Sequence, residues 1–377
     1  MTNFVHTIPE WLELISMAFL VGALICRLWV IAPPETAKGP NPPAAQAADG
    51  LPYKEEVLSG MWRLFCICIA VMIISSIANL LMRASEMSGK PFEDICLVLP
   101  TVIFHTHLGR VFLVRFAALI LLSIALKAGS SYRDSRRFLL FTLGVVAVVS
   151  MTGSASGHAS DAGDLSLREI MDWIHLVATS VWGGGLFVLS VIILPKLIGP
   201  EDPEPPLIAG VASRFSRIAG FSVAAVLITA LYNAWVYVGS TTALLKTPYG
   251  MTVLIKIVLF FVLLNLGAFN RYVNVPLLQK WGGISSNMGG VAGRFARKIL
   301  TPFLSGQEGR KTALRFKRSV RFEAMLVLGV LLCAALLRHE IPARHASHLG
   351  HTGGKIQHMM HDHEGNPQPD RDNRGEN

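Results

Sequence analysis

Long apolar runs separated by short polar connections dominate this chain. "FLLFTLGVVAVVSM", "FVLSVIILPKLI" and "VLIKIVLFFVLLNLGAF" are parts of such runs. A helix needs roughly 20 mostly apolar residues to cross the hydrocarbon core of a bilayer. Eight segments fit that requirement: 11–31, 58–82, 108–128, 138–153, 169–195, 213–238, 251–270 and 319–337. They predict an all-α fold, a polytopic membrane bundle of about eight transmembrane helices within residues 1–337. Several of the segments contain Gly or Pro, which membrane helices tolerate better than soluble ones. The first has no basic flank before it, only Glu10 and Glu13 near its start, and so reads as a retained span rather than a cleaved leader. Residues 32–57, rich in Pro and Ala, read as a linker. Residues 338–377 are polar and without helical period, and read as a disordered tail.

Composition agrees with the pattern. Of 377 residues 52% are hydrophobic and 16% charged, against about 25% charged in soluble domains. The net charge of +9 is concentrated rather than spread. The connection 271–318 carries ten Lys or Arg against one acid, Glu308, and the connection 127–137 carries Lys127, Arg133, Arg136 and Arg137. Basic connections stay in the cytoplasm, which predicts a basic cytoplasmic loop at 271–318 and both termini in the periplasm. Contact with anionic lipid headgroups accounts for such a loop. Without aromatic interleaving or a recognised module, nucleic acid is not expected as a partner. Of the five cysteines, Cys66 and Cys68 point about 200° apart on a helix and do not chelate together. No disulfide framework is implied.

That topology puts all twelve histidines on or near the outer face. His6 precedes the first span, His105 and His107 approach the third, and His158 lies in the loop after the fourth. His175 sits about two turns into the fifth. His339, His345, His348, His351, His358, His361 and His363 belong to the tail. Imidazole suits copper, zinc and nickel, and thioether favours Cu(I). The tail stretch "HMMHDH", with Met359 and Met360, mixes both, and "HASHLGH" spaces three histidines by threes. In "DWIHLVATSVWGGG", Asp172 and His175 share a helical face that continues through Thr179 and Trp182. A carboxylate so placed can orient a metal-binding imidazole. In "SGHASDAGD", His158 and Asp161 could both ligate. Arg115 lies within a span and is expected to pair with an acid or a carbonyl, and Lys256 to snorkel toward the interface. No phosphate-cradling, zinc-protease or nucleophile-elbow motif is present, which argues against an ATP-driven pump.

The segments "HLVATSVWGGGLFVL" and "ALYNAW…TPYG…LIKI…FNR", with "HTHLGRVFLVR" and "SGHASDAG" more loosely, resemble the copper resistance protein D (CopD) family of bacterial inner-membrane proteins. The resemblance is strong over about 100–275 and weaker before it. It implies copper as the metal, a multi-pass place in the inner membrane, and a periplasmic carrier of the CopC type as a partner. It carries His158 and His175 over as histidines of the family's motifs. Trp182, Gly184, Asn233, Tyr249, Gly250, Lys256 and Arg271 match positions of structural character. The histidine-rich tail departs from the family pattern.

The reading that joins these observations is a non-enzymatic protein moving copper inward from the periplasm. The tail histidines with Met359 and Met360 would capture the ion, and His105, His107, His158 and His175, with His6, would form the entrance. Two alternatives remain open. Histidines near one face of a helical bundle could instead be axial ligands of a b-type haem in a redox enzyme. The chain could also be a scaffold or buffer presenting a metal-binding tail.

Overall fold

Eight helices are long and apolar enough to cross a membrane: span 1 (Thr7–Ile31), span 2 (Glu55–Ser88), span 3 (His107–Ala128), span 4 (Arg136–Ala155), span 5 (Leu167–Ile198), span 6 (Pro205–Tyr237), span 7 (Pro248–Trp281) and span 8 (Gly309–Leu337). This computed structural model describes residues 2–31, 54–129, 132, 135–157, 163–199, 203–238, 240–284 and 309–340, and no strand occurs among them. Several helices overrun the apolar segments that announce them. Span 7 continues to Trp281 and span 8 begins at Gly309, so both ends of the 271–318 connection are helical. The linker 32–53, the loop 158–162, the stretch 285–308 and the tail from residue 341 lie outside the described residues. The apolar side chains left exposed on spans 6 and 7, among them Phe221, Ile228, Leu231, Trp235, Ile255 and Val258, face outward, where a bilayer replaces the water a soluble protein would meet.

The bundle consists of two four-span halves built on one plan. Span 1 packs on span 2 and span 3 on span 4, just as span 5 packs on span 6 and span 7 on span 8. A short helix, Ile95–His105, leads into span 3, and another, Thr241–Lys246, leads into span 7. Each ends at an extended threonine, Thr106 (φ −110°, ψ 154°) or Thr247 (φ −107°, ψ 149°), whose hydroxyl caps the next helix. Thr106 Oγ1 accepts from the Gly109 amide at 2.9 Å, and Thr247 Oγ1 from the Gly250 amide at 3.0 Å. Such a cap satisfies an otherwise orphaned helical N–H.

The halves meet where spans 1 and 5 touch backbone to backbone. A Cβ on Gly184 would fall 1.7 Å from the carbonyl oxygen of Ala18, and one on Gly22 would fall 2.1 Å from the carbonyl carbon of Gly184. Only glycine fits there, as at other close membrane crossings. A π-helical turn, Ser180–Gly184, coincides with the contact in span 5.

At the end of the bundle where the chain starts, the N-terminal face, a buried ionic network ties the first half to span 8. Glu10 accepts from Arg83 (3.1 Å) and from Arg338 (2.9 Å). Glu13 accepts from Arg115 (2.6 Å) and from Asn79 Nδ2 (2.8 Å). Arg115, 1% exposed, donates further to Thr152 Oγ1 (2.9 Å), the Thr152 carbonyl (2.7 Å) and Ser156 Oγ (3.1 Å). The expected partner of Arg115 is therefore both an acid and a carbonyl. Charges this deep persist only when paired and fully hydrogen-bonded.

Two outcomes check this account. Gly22→Leu or Gly184→Leu should lower the melting temperature of the purified chain in detergent by more than the equivalent of the about 1–3 kcal/mol of ordinary overpacking. Gly144→Ala, where a Cβ meets nothing within 4 Å, should be neutral or gain up to about 1 kcal/mol; equal effects at both places would contradict the close contact. Arg115→Met should cost about 3–5 kcal/mol, and adding Glu13→Gln should recover part of that loss in a double-mutant cycle.

Candidate metal-handling site at the N-terminal face

Span 5 is capped by Ser166, whose hydroxyl accepts from the Glu169 amide at 3.3 Å, and its third turn brings His175 against span 6. His175 Nδ1 lies 2.9 Å from Thr229 Oγ1. The single hydroxyl proton of Thr229 is directed to the Ala225 carbonyl at 2.7 Å, so Thr229 accepts and the imidazole donates through Nδ1–H. Donation through Nδ1–H is the tautomer that leaves Nε2 its lone pair, the form in which imidazole binds a metal.

Two polar atoms stand on the same helical faces, one turn away. Thr179 Oγ1 on span 5 and Asn233 Oδ1 on span 6 are buried with no hydrogen-bond partner among the described residues. Orphaned acceptors of this kind are uncommon and call for an explanation. From span 7, Lys256 lies within electrostatic reach of both His175 and Asp172. Its side chain is half-buried.

The expected pairing of Asp172 with His175 is replaced by contacts to other spans. Asp172 accepts from Ser154 Oγ on span 4 at 2.9 Å, and the group that orients the imidazole is Thr229. Spacing of three residues put the two side chains on one face, but each finds a nearer partner across a helix interface. Just beyond span 8, Glu340 accepts from Thr252 Oγ1 at 3.2 Å, and burial raises its carboxyl above the usual range against that hydrogen bond.

The other candidates are dispersed. His105 ends the short helix before span 3 and is exposed. His107 opens span 3, with Nε2 2.8 Å from Asp164 Oδ1. The chain bends at Thr106 between two helices, so the two histidines do not lie along one extended run. His107 is thereby tied to the end of the loop that carries His158 and Asp161, which themselves lie outside the described residues. The same holds for His345, His348, His351, His358, Met359, Met360, His361 and His363, and for the side chain of His6. Among the described residues no three His, Cys, Asp or Glu side chains gather closely enough to hold a metal. His175 thus stands without a complete ligand set among the described residues.

Comparison of the two halves shows what sequence reading missed. Arg115 stands nine residues after Thr106, and Lys256 stands nine after Thr247. Glu13 stands nine before Gly22, and His175 nine before Gly184. The Glu13–Arg115 pair of the first half therefore occupies the place of His175 and Lys256 in the second. Only the spacing of the two glycines and the two threonines signals this, and it becomes legible once their contacts are known.

Comparison with known proteins gives the family. Residues 1–167 match the model described as copper resistance protein D-like, N-terminal domain, and residues 209–337 match the model described as copper resistance protein D. The copper transport protein CutJ of Bacillus subtilis is 29% identical over 174 residues, 45% of this chain and 31% of the relative. Copper resistance protein D of Pseudomonas syringae pv. tomato is 21% identical over 210 residues, 55% of this chain and 67% of the relative. The inner membrane protein YebZ of Escherichia coli is 28% identical over 142 residues, 38% of this chain and 47% of the relative. The chain spans about a third of CutJ and about half of YebZ. No solved structure matches it. With both family models accounting for spans 1–4 and 6–8, this multi-pass membrane chain belongs to the copper resistance protein D family.

Proposed function

We propose that this protein takes up copper at its N-terminal face and passes it through the second half of the bundle, from periplasm to cytoplasm. The observation that carries the reading is His175: an imidazole inside the span, fixed through Nδ1 by Thr229, with its Nε2 lone pair left for a ligand. The unpartnered Thr179 Oγ1 and Asn233 Oδ1 mark the same interface between spans 5 and 6 as a polar path. The names of two relatives, a copper transport protein and a copper resistance protein, support copper as the cargo. The outward orientation of the N-terminal face is supported by charge, since Lys127, Arg136, Arg137, Lys196, Arg214, Arg271, Lys280, Arg310 and Lys311 sit at the opposite ends of their spans. In this reading His345, His348, His351, His358, Met359, Met360, His361 and His363 capture copper. His158, His107 and His105, with His6 and with Asp161 in support, form the entrance from which the ion reaches His175. A soluble carrier of the CopC type would deliver the ion.

Two changes separate this reading from its competitors. His175→Ala should abolish the bundle's share of bound Cu(I) in equilibrium dialysis of the purified full chain. Thr229→Val should weaken that binding by about 10–100-fold, as loss of a partner that orients a metal-bound imidazole does. Unchanged copper content in His175→Ala would overturn the reading. A Soret band removed by His175→Ala would instead make the site a haem site.

A further inference from the structure

Four glutamates on the spans are almost fully buried: Glu10, Glu13, Glu169 and Glu323. Glu10 and Glu13 are paired with arginines. Glu169, near the start of span 5, accepts from the Leu165 amide at 2.6 Å. Glu323 differs from the arginine-paired two in its partners and from Glu169 in its place. It lies on span 8 toward the face opposite the N-terminal one, 2% exposed, and its direct partners are neutral, the Asn270 amide and the Ser319 hydroxyl.

The asparagine belongs to a directed chain. Arg315 Nε donates to Asn274 Oδ1 at 2.9 Å, Asn274 Nδ2 donates to Asn270 Oδ1, and Asn270 Nδ2 donates to Glu323 Oε1. The second N–H of Asn270 reaches Ser319 Oγ at 3.0 Å. Every amide points its donor end toward the carboxylate, with a guanidinium at the far end. Hydrogen bonds in such a chain polarise one another. Both asparagines lie on a π-helical turn, Asn270–Asn274, at the end of span 7, and π-turns are frequent at functional sites. The corresponding place in the first half is Gly129, 23 residues after Thr106 as Asn270 is 23 after Thr247, so this chain is peculiar to the half that carries His175.

A carboxyl buried with no polar partner stays protonated, and one held directly by arginine stays ionised. Glu323 has neither arrangement. Span 8 packs on spans 1, 5 and 7, and no charged side chain from any of them acts directly on Glu323. Arg271 of span 7 is turned to the Ser216 carbonyl, and Arg315 reaches the carboxylate through two amides. We propose that Glu323 is a reversible proton-binding site at the inward side of the bundle. Its carboxylate Oε2 takes a proton from the adjacent aqueous phase, forming one O–H bond, and returns it there, while Asn270 holds Oε1 in either state. The site lies roughly 20 Å along the helix axes from Lys256, and its chemistry of oxygen and amide groups is separate from the imidazole site. The inference stands whether or not copper is the cargo.

Infrared difference spectroscopy of the full chain in liposomes, stepped in pH, tests it without any metal. One protonated-carboxyl band should titrate with pH and be lost in Glu323→Gln. In Arg315→Gln the band should persist and its midpoint should rise by about one pH unit, because the charge behind the amide chain is gone. This second variant keeps Glu323 and guards against a Glu323→Gln chain that fails to fold. A band that does not titrate, or a midpoint unmoved by Arg315→Gln, would overturn the proposal and leave Glu323 a structural hydrogen-bond acceptor.

Discussion

A charge inside this bundle has no water to turn to, and the pairing of Glu10 and Glu13 with Arg83, Arg115 and Arg338 is the constraint on which the rest of the N-terminal face depends. Those five side chains come from spans 1, 2 and 3 and from the end of span 8, and Arg115 brings in span 4 through Thr152 and Ser156. Each carboxylate sets the height at which two other helices must cross span 1. An arrangement that slid one helix by a turn would strand a buried charge, at a cost of several kcal/mol. Span 5 is then fixed against span 1 by the Gly22–Gly184 contact. His175, nine residues from Gly184, inherits its depth from that contact and its orientation from Thr229.

The two halves spend the same positions differently. In the first, Glu13 and Arg115 neutralise each other and are enclosed by Asn79, Thr152 and Ser156. In the second, an imidazole and a lysine replace them, and the acid nearby, Asp172, is engaged with Ser154. A locked pair contributes structure and leaves nothing for a ligand. The second half keeps an imidazole lone pair and two orphaned oxygen atoms at its centre, and a buried glutamate further along. In the proposed reading, one four-span plan serves as scaffold in one copy and as a polar route in the other.

The eight spans were legible in the sequence because run length alone reports a bilayer crossing. The helices Ile95–His105 and Thr241–Lys246 were not, since they are too short to span and their apolar residues merge with neighbouring loops. Arg115 was legible as a residue needing a partner, but Glu10 and Glu13 registered only as the acidic flank of a first span. Asp172 and His175 were correctly placed on one helix face. Their mutual contact was not to be had from spacing, because partners on spans 4 and 6 decide it. Glu323 was hidden for a different reason: it stands just after a dense run of Lys and Arg, where counting charge for topology hides a single acid. The loop and tail histidines lie outside the described residues, so their part in a metal site rests on the sequence alone.

The most direct test of the central claim is the metal content and optical spectrum of the purified chain lacking residues 341–377. The account predicts that this shortened chain still holds copper and shows no Soret band, because the proposed ligand His175 lies within the bundle and not in the tail. Complete loss of copper with the tail would contradict it and leave the protein a tethered metal buffer, and a Soret band would assign the imidazole to haem.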